Sequence, residues 1–452
     1  MLHRLKFKNF KSWPEANVEF GPITGLFGPN SSGKTSLIQF LLLLKQTKDG
    51  TDRGISLDLN GPYVNLGVYR DLIHRHDERQ PLSWSVSFVR PKELALVDPS
   101  GKRTEMVARS NQLALQSEVR ALDQGAVCTQ LAYTLGDVTF SLAPKRTSES
   151  HFELVAIGSD FRFVRTLGRP WQLPRPVKSY AFPDQARTYY QNASFLSDVE
   201  AAYEEQIDNI FYLGPLRVYP ERDYLWARSR PQDVGLRGEK SIDAILAATI
   251  AGEERNVKYR ARLRPFQEMI AYWLRAMGLI YDFKVEEIAK GTNRWQARVR
   301  IRKGGTEALL TDVGFGVSQV LPVVTLLQYV PENSTVILEQ PEIHLHPLAQ
   351  AELADVIINA ALHRRVQIVL ESHSEHLLLR LQRRVAEELV SPDDIKLYFC
   401  DAQQGSSTLH ELKLDLFGQI SNWPDNFMGD TFGETYAAEE ARLKRLVKDA
   451  AE

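Results

Sequence analysis

A glycine-rich stretch near the start of the chain has the residue types and the spacing that bind phosphate groups. Residues 28–35 read Gly-Pro-Asn-Ser-Ser-Gly-Lys-Thr and match the pattern G-x-x-x-x-G-K-[ST] in full. Glycines let backbone N–H groups turn toward phosphate oxygens, a lysine adds positive charge, and the final hydroxyl is a ligand for Mg²⁺. We predict that this loop binds a nucleoside triphosphate through Gly28, Asn30, Ser31, Ser32, Gly33, Lys34, Thr35 and Ser36.

Such a site also needs a carboxylate at the end of a neighbouring apolar strand, where it can hold the hydrated Mg²⁺. Residues 336–339 read Val-Ile-Leu-Glu and offer one. Taken alone, this glutamate would be interpreted as an ordinary acidic residue at a strand end. The residues that follow it, Gln-Pro-Glu-Ile-His-Leu-His-Pro, favour the functional interpretation. We predict that Thr35 and Glu339 hold the metal ion.

The elements that must position these residues have the pattern of a parallel α/β sheet. Residues 23–27 form a short apolar run before the loop, and residues 36–47 lack glycine and proline and suit a buried helix. Apolar strands alternate with helices again between residues 317 and 371. The two ends of the chain are therefore predicted to build one α/β domain around a long insertion.

The insertion changes character along its length. Short β-prone runs separated by turn residues come first, and longer helical periods follow. The predicted units are the N-terminal part of the nucleotide domain, a strand-rich lobe, a helical insertion, the C-terminal part of the nucleotide domain and a tail, with bounds 1–47, 48–185, 186–292, 293–415 and 416–452.

Length and composition exclude several classes of protein. The 452 residues, 43% of them hydrophobic, allow about two to four domains. Cys128 and Cys400 lie too far apart in sequence to suggest a disulfide framework or a cysteine zinc site. No apolar run approaches the roughly 20 residues that cross a membrane, and no signal peptide is evident. A cytoplasmic protein without membrane contact is expected.

The sequence resembles the ABC-type ATPases of the SMC, RecF and OLD (overcoming-lysogenisation-defect) group. Members carry E-[EQ]-P-E-x-H-L-H-P after the strand that bears the Mg²⁺ carboxylate, and residues 339–347 read E-Q-P-E-I-H-L-H-P. Residues 2–13 resemble the group's opening strand, and residues 371–374, Glu-Ser-His-Ser, resemble its switch-histidine motif. The resemblance implies an ABC-type P-loop ATPase domain that binds ATP and Mg²⁺ and hydrolyses ATP.

The resemblance also implies catalytic roles for Glu339, Gln340, Glu342 and His373. The group's switch histidine contacts the γ-phosphate or the attacking water, which is the role implied for His373. Gln340 stands where many ABC ATPases have the glutamate that polarises this water, and an amide cannot accept a proton as a general base. Hydrolysis is therefore expected to be slow, unless Glu342 or His373 orients the water.

Residues 310–319, LTDVGFGVSQ, occupy the place of the ABC signature motif. In the group this motif presents glycine amides, a hydroxyl and a helix N-terminus to ATP on the opposite subunit. Gly314, Gly316 and Ser318 are the predicted contacts, with Thr311 as the alternative hydroxyl and a plain helix-capping turn as the alternative structure. The resemblance implies a head-to-tail dimer and allows a higher oligomer. Residues 59–74 occupy the Q-loop region without a clear glutamine.

Further stretches resemble stand-alone ATPases of bacterial phage-defence loci, such as the ATPase subunits of PARIS- and Septu-like systems. They are residues 211–226, 234–239 and 417–427. Nuclease members of the OLD class append a metal-binding domain after the switch histidine, but here one suitable acid, Asp401, and little chain follow. The resemblance therefore implies a switch that holds and releases a separate nuclease or toxin, with a phage protein as trigger.

Basic and aromatic residues between 217 and 264 raise DNA as a second ligand. This stretch has eleven basic and seven acidic residues, so a salt-bridged surface is the favoured interpretation. The alternative functions are a RecF-like repair ATPase that clamps DNA directly and a scaffold that binds ATP without meaningful turnover.

Overall fold

The computed structural model describes residues 1–99, 105–122, 125–145, 148–168, 172–257, 261–423 and 441–442. In these ranges the helices are α1 (Lys34–Asp49), α2 (Tyr69–Leu72), α3 (Asp184–Tyr189), α4 (Leu196–Asp208), α5 (Ser241–Ile250), α6 (Phe266–Ala276), α7 (Phe315–Tyr329), α8 (Pro347–His363) and α9 (Glu375–Ala386). Strands up to α4 are β1 (Leu2–Phe10), β2 (Trp13–Glu19), β3 (Ile23–Phe27), β4 (Leu82–Val97), β5 (Met106–Leu122), β6 (Gly125–Leu135), β7 (Val138–Lys145) and β8 (Ser148–Ile157).

The later strands are mostly short. They are β9 (Ile210–Leu213), β10 (Tyr224–Leu225), β11 (Glu254–Arg255), β12 (Arg264–Pro265), β13 (Asp282–Glu287), β14 (Arg294–Arg300), β15 (Glu307–Leu309), β16 (Thr335–Glu339), β17 (Gln367–Glu371), β18 (Ile395–Gln403) and β19 (Ser406–Leu412). The predicted α/β class is confirmed.

An antiparallel sheet of seven strands runs in the order β2-β1-β4-β5-β6-β7-β8. In β1 the side chains of Leu5 and Phe7 are buried while those of Lys6 and Lys8 are exposed. Side chains alternate between the two faces of a strand, so β1 buries one face and leaves the other in water. The strands between residues 82 and 157 thus extend a sheet that already begins at residue 2.

A second sheet has the order β19-β18-β3-β17-β16-β9, and its strands from β18 to β9 are parallel. Every residue of β3, β16 and β17 is buried, as expected for a parallel sheet covered on both faces. The edge strand β9 comes from the stretch that was predicted as a helical insertion. It pairs with β16 because its four residues, Ile-Phe-Tyr-Leu, suit a strand.

The hydrophobic core is divided by this parallel sheet. Ile337 and Val369 belong to one buried cluster, which includes α1 and the antiparallel sheet. Their neighbours Leu338 and Leu370 belong to the other, which includes α5–α9. Alternate residues of each strand therefore face opposite layers. Phe7 of β1 stacks on Phe40 of α1 with ring centroids 4.6 Å apart, which joins the antiparallel sheet to the helix after the glycine-rich loop.

The strand order decides which side chains meet at the carboxyl edge of the parallel sheet. Glu371 of β17 pairs with Leu26 of β3, and Glu339 of β16 pairs with Glu371. Neighbouring strands lie about 4.8 Å apart. The carboxylate of β17 is thus one strand from the strand before the glycine-rich loop, and that of β16 is two strands away.

A smaller antiparallel sheet of β10, β14, β13 and β15 leads into α7. A 3₁₀ turn at Leu310–Asp312 follows β15, and α7 begins at Phe315, after Val313 and Gly314. No helix in the described ranges is long and apolar enough to span a membrane.

Candidate nucleotide-binding site

The glycine-rich loop leaves β3 and returns into α1 through backbone conformations that favour glycine. Gly28 has φ +140°, and a Cβ there would lie 2.2 Å from the carbonyl oxygen of Cys400. Gly33 has φ +96°, and its Cβ would lie 2.5 Å from Oγ of Ser407. The two glycines of the motif are therefore required by the close packing of β18 and β19, and they leave α1 with an N-terminus that opens on the loop.

Lys34 is held inside the loop. Its Nζ donates to the carbonyl oxygens of Gly28, at 3.0 Å, and Pro29, at 2.7 Å. Burial lowers the pKa of Lys34, and the nearby charge of Glu371 opposes that effect. The ammonium is thus positioned beside the backbone that would face phosphate groups.

The Thr35 hydroxyl meets a carboxylate that the sequence prediction had not assigned to it. Oγ1 donates toward both carboxylate oxygens of Glu371, at 2.9 and 3.1 Å. Glu371 is 3% exposed, and burial raises the pKa of its carboxyl, opposed by the Thr35 hydrogen bond and the charge of Lys34. Glu371 ends an apolar strand just as Glu339 does, so the sequence contained a signal for it.

Glu339 lies beside Glu371, but its hydrogen-bond partner is on β9, on the side of β16 opposite to Glu371. Its Oε1 accepts a hydrogen bond of 3.0 Å from the hydroxyl of Tyr212 on β9. Burial and the charge of Glu371 raise the pKa of Glu339 to about 7, and the hydrogen bond from Tyr212 opposes them. The predicted pair Thr35 and Glu339 is therefore brought to the same edge of the sheet, with Glu371 between them.

The predicted residues Gln340, Glu342 and His373 come together in the loops after β16 and β17. Gln340 has φ +43°, and its N–H donates to the carbonyl oxygen of Glu371 at 2.8 Å. Oε1 of Glu342 accepts a hydrogen bond of 2.8 Å from the backbone N–H of His373. Burial, with a smaller contribution from Lys34, lowers the pKa of His373, which favours its neutral imidazole. Glu342 therefore ties the two loops to each other.

Arg217 binds the backbone at the end of β16 and the start of the loop that follows. It is 4% exposed, and its Nη2 donates to the carbonyl oxygens of Glu339, at 3.3 Å, and Gln340, at 3.2 Å. Burial lowers its pKa to about 10, and the charge of Glu342 opposes this. The sequence places Arg217 in a basic stretch that could contact DNA, a nucleotide or a partner, and the structure places its side chain at the candidate site.

The predicted signature residues lie at the start of α7. Gly314 is its N-cap, and Oγ of Ser318 donates to the carbonyl oxygen of Phe315 at 2.8 Å. The Phe315 ring packs against Tyr219 and His344, with centroids 5.2 and 4.9 Å away. A Cβ on Gly316 would lie 3.2 Å from the His344 carbonyl oxygen. These residues border the loop after β16 and are not among those that bond to Lys34 and Thr35.

Thr311, the alternative source of the signature hydroxyl, lies in the 3₁₀ turn and donates to Asp312 at 3.1 Å. Asp312 in turn forms an ion pair with Arg222 at 3.0 Å. The same segment that carries Arg217 thus also contacts the turn before the signature residues.

Comparison with known families bears on what this site does. The family described as "AAA domain, putative AbiEii toxin, Type IV TA system" matches residues 145–380, about half of the chain. The chain belongs to this family. A second AAA-domain family matches residues 4–126, and a family of proteins of unknown function, DUF3696, matches residues 390–436. The chain is thus an AAA-domain ATPase, and such families use ATP and typically Mg²⁺.

Solved structures similar to this AAA-domain ATPase include SMC heads. The SMC head bound to the C-winged helix domain of ScpA has 10% identity and TM-score 0.44, covering 92% of this chain and 98% of that one. The head from Thermotoga maritima has 12% identity and TM-score 0.38, covering 91% and 98%. The SMC head derived from Pyrococcus furiosus, bound to the C-terminal domain of ScpA, has 10% identity and TM-score 0.41, covering 91% of this chain and 96% of that one. No curated protein sequence matches the chain.

Proposed function

We propose that this AAA-domain ATPase is an ATP-dependent switch that holds and releases a separate effector, a nuclease or toxin, in bacterial anti-phage defence. The observation that carries the proposal is the meeting of Lys34 and Thr35 with Glu371, Glu339 and His373 at one edge of the parallel sheet. These groups suit a triphosphate and its metal ion. The family description, which includes a toxin of a toxin–antitoxin system, supports the assignment to defence.

The residues present fit Mg²⁺, a hard cation that prefers oxygen ligands. The Thr35 hydroxyl and the buried carboxylates of Glu371 and Glu339 are oxygen donors at one place. When bound, Mg²⁺ would neutralise charge that develops on the phosphate oxygens. The N–H groups at the start of α1 and the Lys34 ammonium would bind the β- and γ-phosphates directly.

In the proposed hydrolysis, His373 orients the attacking water and Glu342 fixes His373. The neutral imidazole favoured by burial has one nitrogen that can accept a hydrogen bond from water. Glu342 holds the backbone of His373 through its carboxylate, so that carboxylate serves to position the loop. Because Gln340 cannot act as a general base, turnover is proposed to be slow.

The switch itself is proposed to be a head-to-tail dimer in which the start of α7 on one subunit contacts ATP on the other. Helix N-termini attract phosphate, and Gly314 leaves that of α7 without a side chain at its N-cap. The exposed ring of Tyr219 and the partly exposed ring of Phe315 supply apolar area around it. ATP that binds the closed dimer more tightly than separate subunits would make the assembly bistable.

The first experiment measures phosphate release and molar mass with and without Mg²⁺ and ATP. Wild type is expected to release phosphate and to double its mass by light scattering when ATP is added. Lys34→Ala should do neither, whereas Lys413→Ala, at an exposed position, should match wild type. Phosphate release by wild type no faster than that of Lys34→Ala, with each candidate partner and trigger present, would refute the ATPase proposal.

The second experiment tests the effector. Proteins encoded beside the gene for this chain are co-expressed with it and captured through it, with and without phage infection. We expect a neighbour to be retained by wild type and released on infection. The switch proposal is wrong if no encoded neighbour associates under either condition.

DNA is the weaker candidate ligand, because many of the described basic residues between 217 and 264 are engaged. Arg230 and Arg255 both pair with Glu253, and Arg217 is buried. Trp226, one of the aromatic residues proposed to stack on bases, is 4% exposed. Lys258 and Arg260, and the resemblance at 424–427, lie outside the described residues.

A further inference from the structure

Glu371 is the carboxylate nearest to the P-loop in the order of the sheet. It ends β17, which pairs directly with β3, the strand that leads into the glycine-rich loop. Glu339, the acid predicted from sequence to hold the metal ion, ends the next strand outward. Since the strands are about 4.8 Å apart, Glu339 starts about one strand spacing further from the loop.

The hydrogen bonds divide the two acids in the same way. The Thr35 hydroxyl, which would bind the cation, donates to Glu371 at 2.9 and 3.1 Å. Glu339 receives the Tyr212 hydroxyl at 3.0 Å, from the far edge of the sheet. Glu371 is therefore turned toward the P-loop, and Glu339 is held by a group on its other side.

The carboxylate of Glu371 also has acceptor capacity that the protein leaves unused. Thr35 is the residue that donates to it in the described part of the chain, and one hydroxyl proton can serve only one oxygen at a time. A carboxylate has about four lone-pair sites, and this one is 3% exposed. The remaining lone pairs of this buried carboxylate therefore leave it able to accept a further donor or to bind a cation.

We propose that Glu371 is a further residue of the Mg²⁺ position, presenting a carboxylate oxygen to the cation or to the water it carries, beside the hydroxyl of Thr35. Glu339, whose carboxylate accepts the hydrogen bond from Tyr212, then lies one strand further from the cation than Glu371. This inference rests on the proposed function, because it presupposes that the P-loop binds ATP with Mg²⁺. Glu371, the acid closer to the P-loop, thereby has a role of its own in the motif at residues 371–374, in which the resemblance implied a role for His373.

The test measures the dissociation constant of a fluorescent ATP analogue twice, in excess Mg²⁺ and in EDTA, so that the readout does not depend on turnover. Wild type is expected to bind more tightly with Mg²⁺. Glu371→Gln keeps an oxygen for the Thr35 hydrogen bond but removes the charge. We expect the gain in affinity that Mg²⁺ gives this variant to be about tenfold smaller than in wild type, which is the size expected for one charge-assisted interaction. The dissociation constant in EDTA should be unchanged.

Three variants make the result specific. Glu371→Asp keeps the charge on a shorter side chain and should recover part of the gain, and Thr35→Ala should lose it as Glu371→Gln does. Glu388→Gln, at an exposed position after α9, should behave as wild type. Circular dichroism and thermal unfolding of each variant establish that the comparison is between folded proteins.

Two results would overturn the inference. One is a Mg²⁺-dependent gain in Glu371→Gln equal to that of wild type. The other is an equal loss of affinity in Mg²⁺ and in EDTA, which would assign Glu371 to holding the loop alone. If wild type itself bound no nucleotide, the proposed function would fail instead, so the two failures are distinguishable.

Discussion

Replacing Glu339 by glutamine should make the protein more stable at pH 8 and have little effect at pH 5. The native protein raises the pKa of this carboxyl from 4.5 to about 7. Because the folded state holds the proton more tightly than the unfolded chain, stability falls as the pH rises from 4.5 to about 7 and then stays low. Glutamine has no charge to bury and can still accept the hydrogen bond from Tyr212.

The size of the effect follows from the two pKa values. At about 1.4 kcal/mol per pKa unit, the difference between 4.5 and about 7 is worth about 3 kcal/mol once the carboxylate is fully ionised. Glu339→Gln should therefore gain about 3 kcal/mol over wild type at pH 8. At pH 5, where most native molecules already carry the proton, the gain should be below about 1 kcal/mol.

The assay is urea unfolding of both proteins at pH 8 and pH 5 without nucleotide, with Glu388→Gln as the control for loss of an exposed charge. A stability difference that is the same at both pH values would refute the reasoning. So would a Glu339→Gln variant that is less stable than wild type at pH 8, since that would mean the ionised carboxylate stabilises the fold.

Three further outcomes are expected. Gly28→Ala should lower the free energy of unfolding by more than about 2 kcal/mol, because φ is +140° and the new Cβ would lie 2.2 Å from the Cys400 carbonyl oxygen; urea unfolding measures this. Glu342→Ala should slow phosphate release about tenfold by freeing His373, while Glu342→Gln should retain most of the rate. A Glu342→Gln rate as low as that of Glu342→Ala would make Glu342 the base. Tyr219→Ala should weaken ATP-dependent dimerisation, measured by light scattering across a protein dilution series, because it removes an aromatic ring beside the start of α7 and leaves the P-loop residues in place. Dimerisation equal to that of wild type would place the interface elsewhere.

The phosphate loop could be predicted from sequence because its residues are contiguous and their spacing alone defines the backbone path. Strand order could not be predicted in the same way. Glu339 and Glu371 both end apolar strands, and only the tertiary pairing shows that β17 lies between β16 and β3. Sequence reasoning therefore found two correct strand ends but assigned the metal position to the more distant one alone.

The short strand β9 illustrates a different limit. Ile210–Leu213 follows α4 directly, and four residues are too few to show a period. Its assignment depends on the exposed edge of β16, which is formed by residues more than a hundred positions later. Tyr212, which donates a hydrogen bond to Glu339, was missed as a site residue for the same reason.

The position of β3 in the sheet has a consequence for synthesis on the ribosome. Ile23 pairs with residues on both sides of β3, Ile368 on β17 and Ile395 on β18. An emerging chain that already contains the phosphate loop must wait until residues 367–403 leave the exit tunnel before β3 has either neighbour. Loop closure over such a separation is slow, and the apolar strand is open to aggregation meanwhile. Nucleotide binding by this protein is therefore a property that appears late in translation, and ribosome-bound fragments ending before residue 367 should not acquire it.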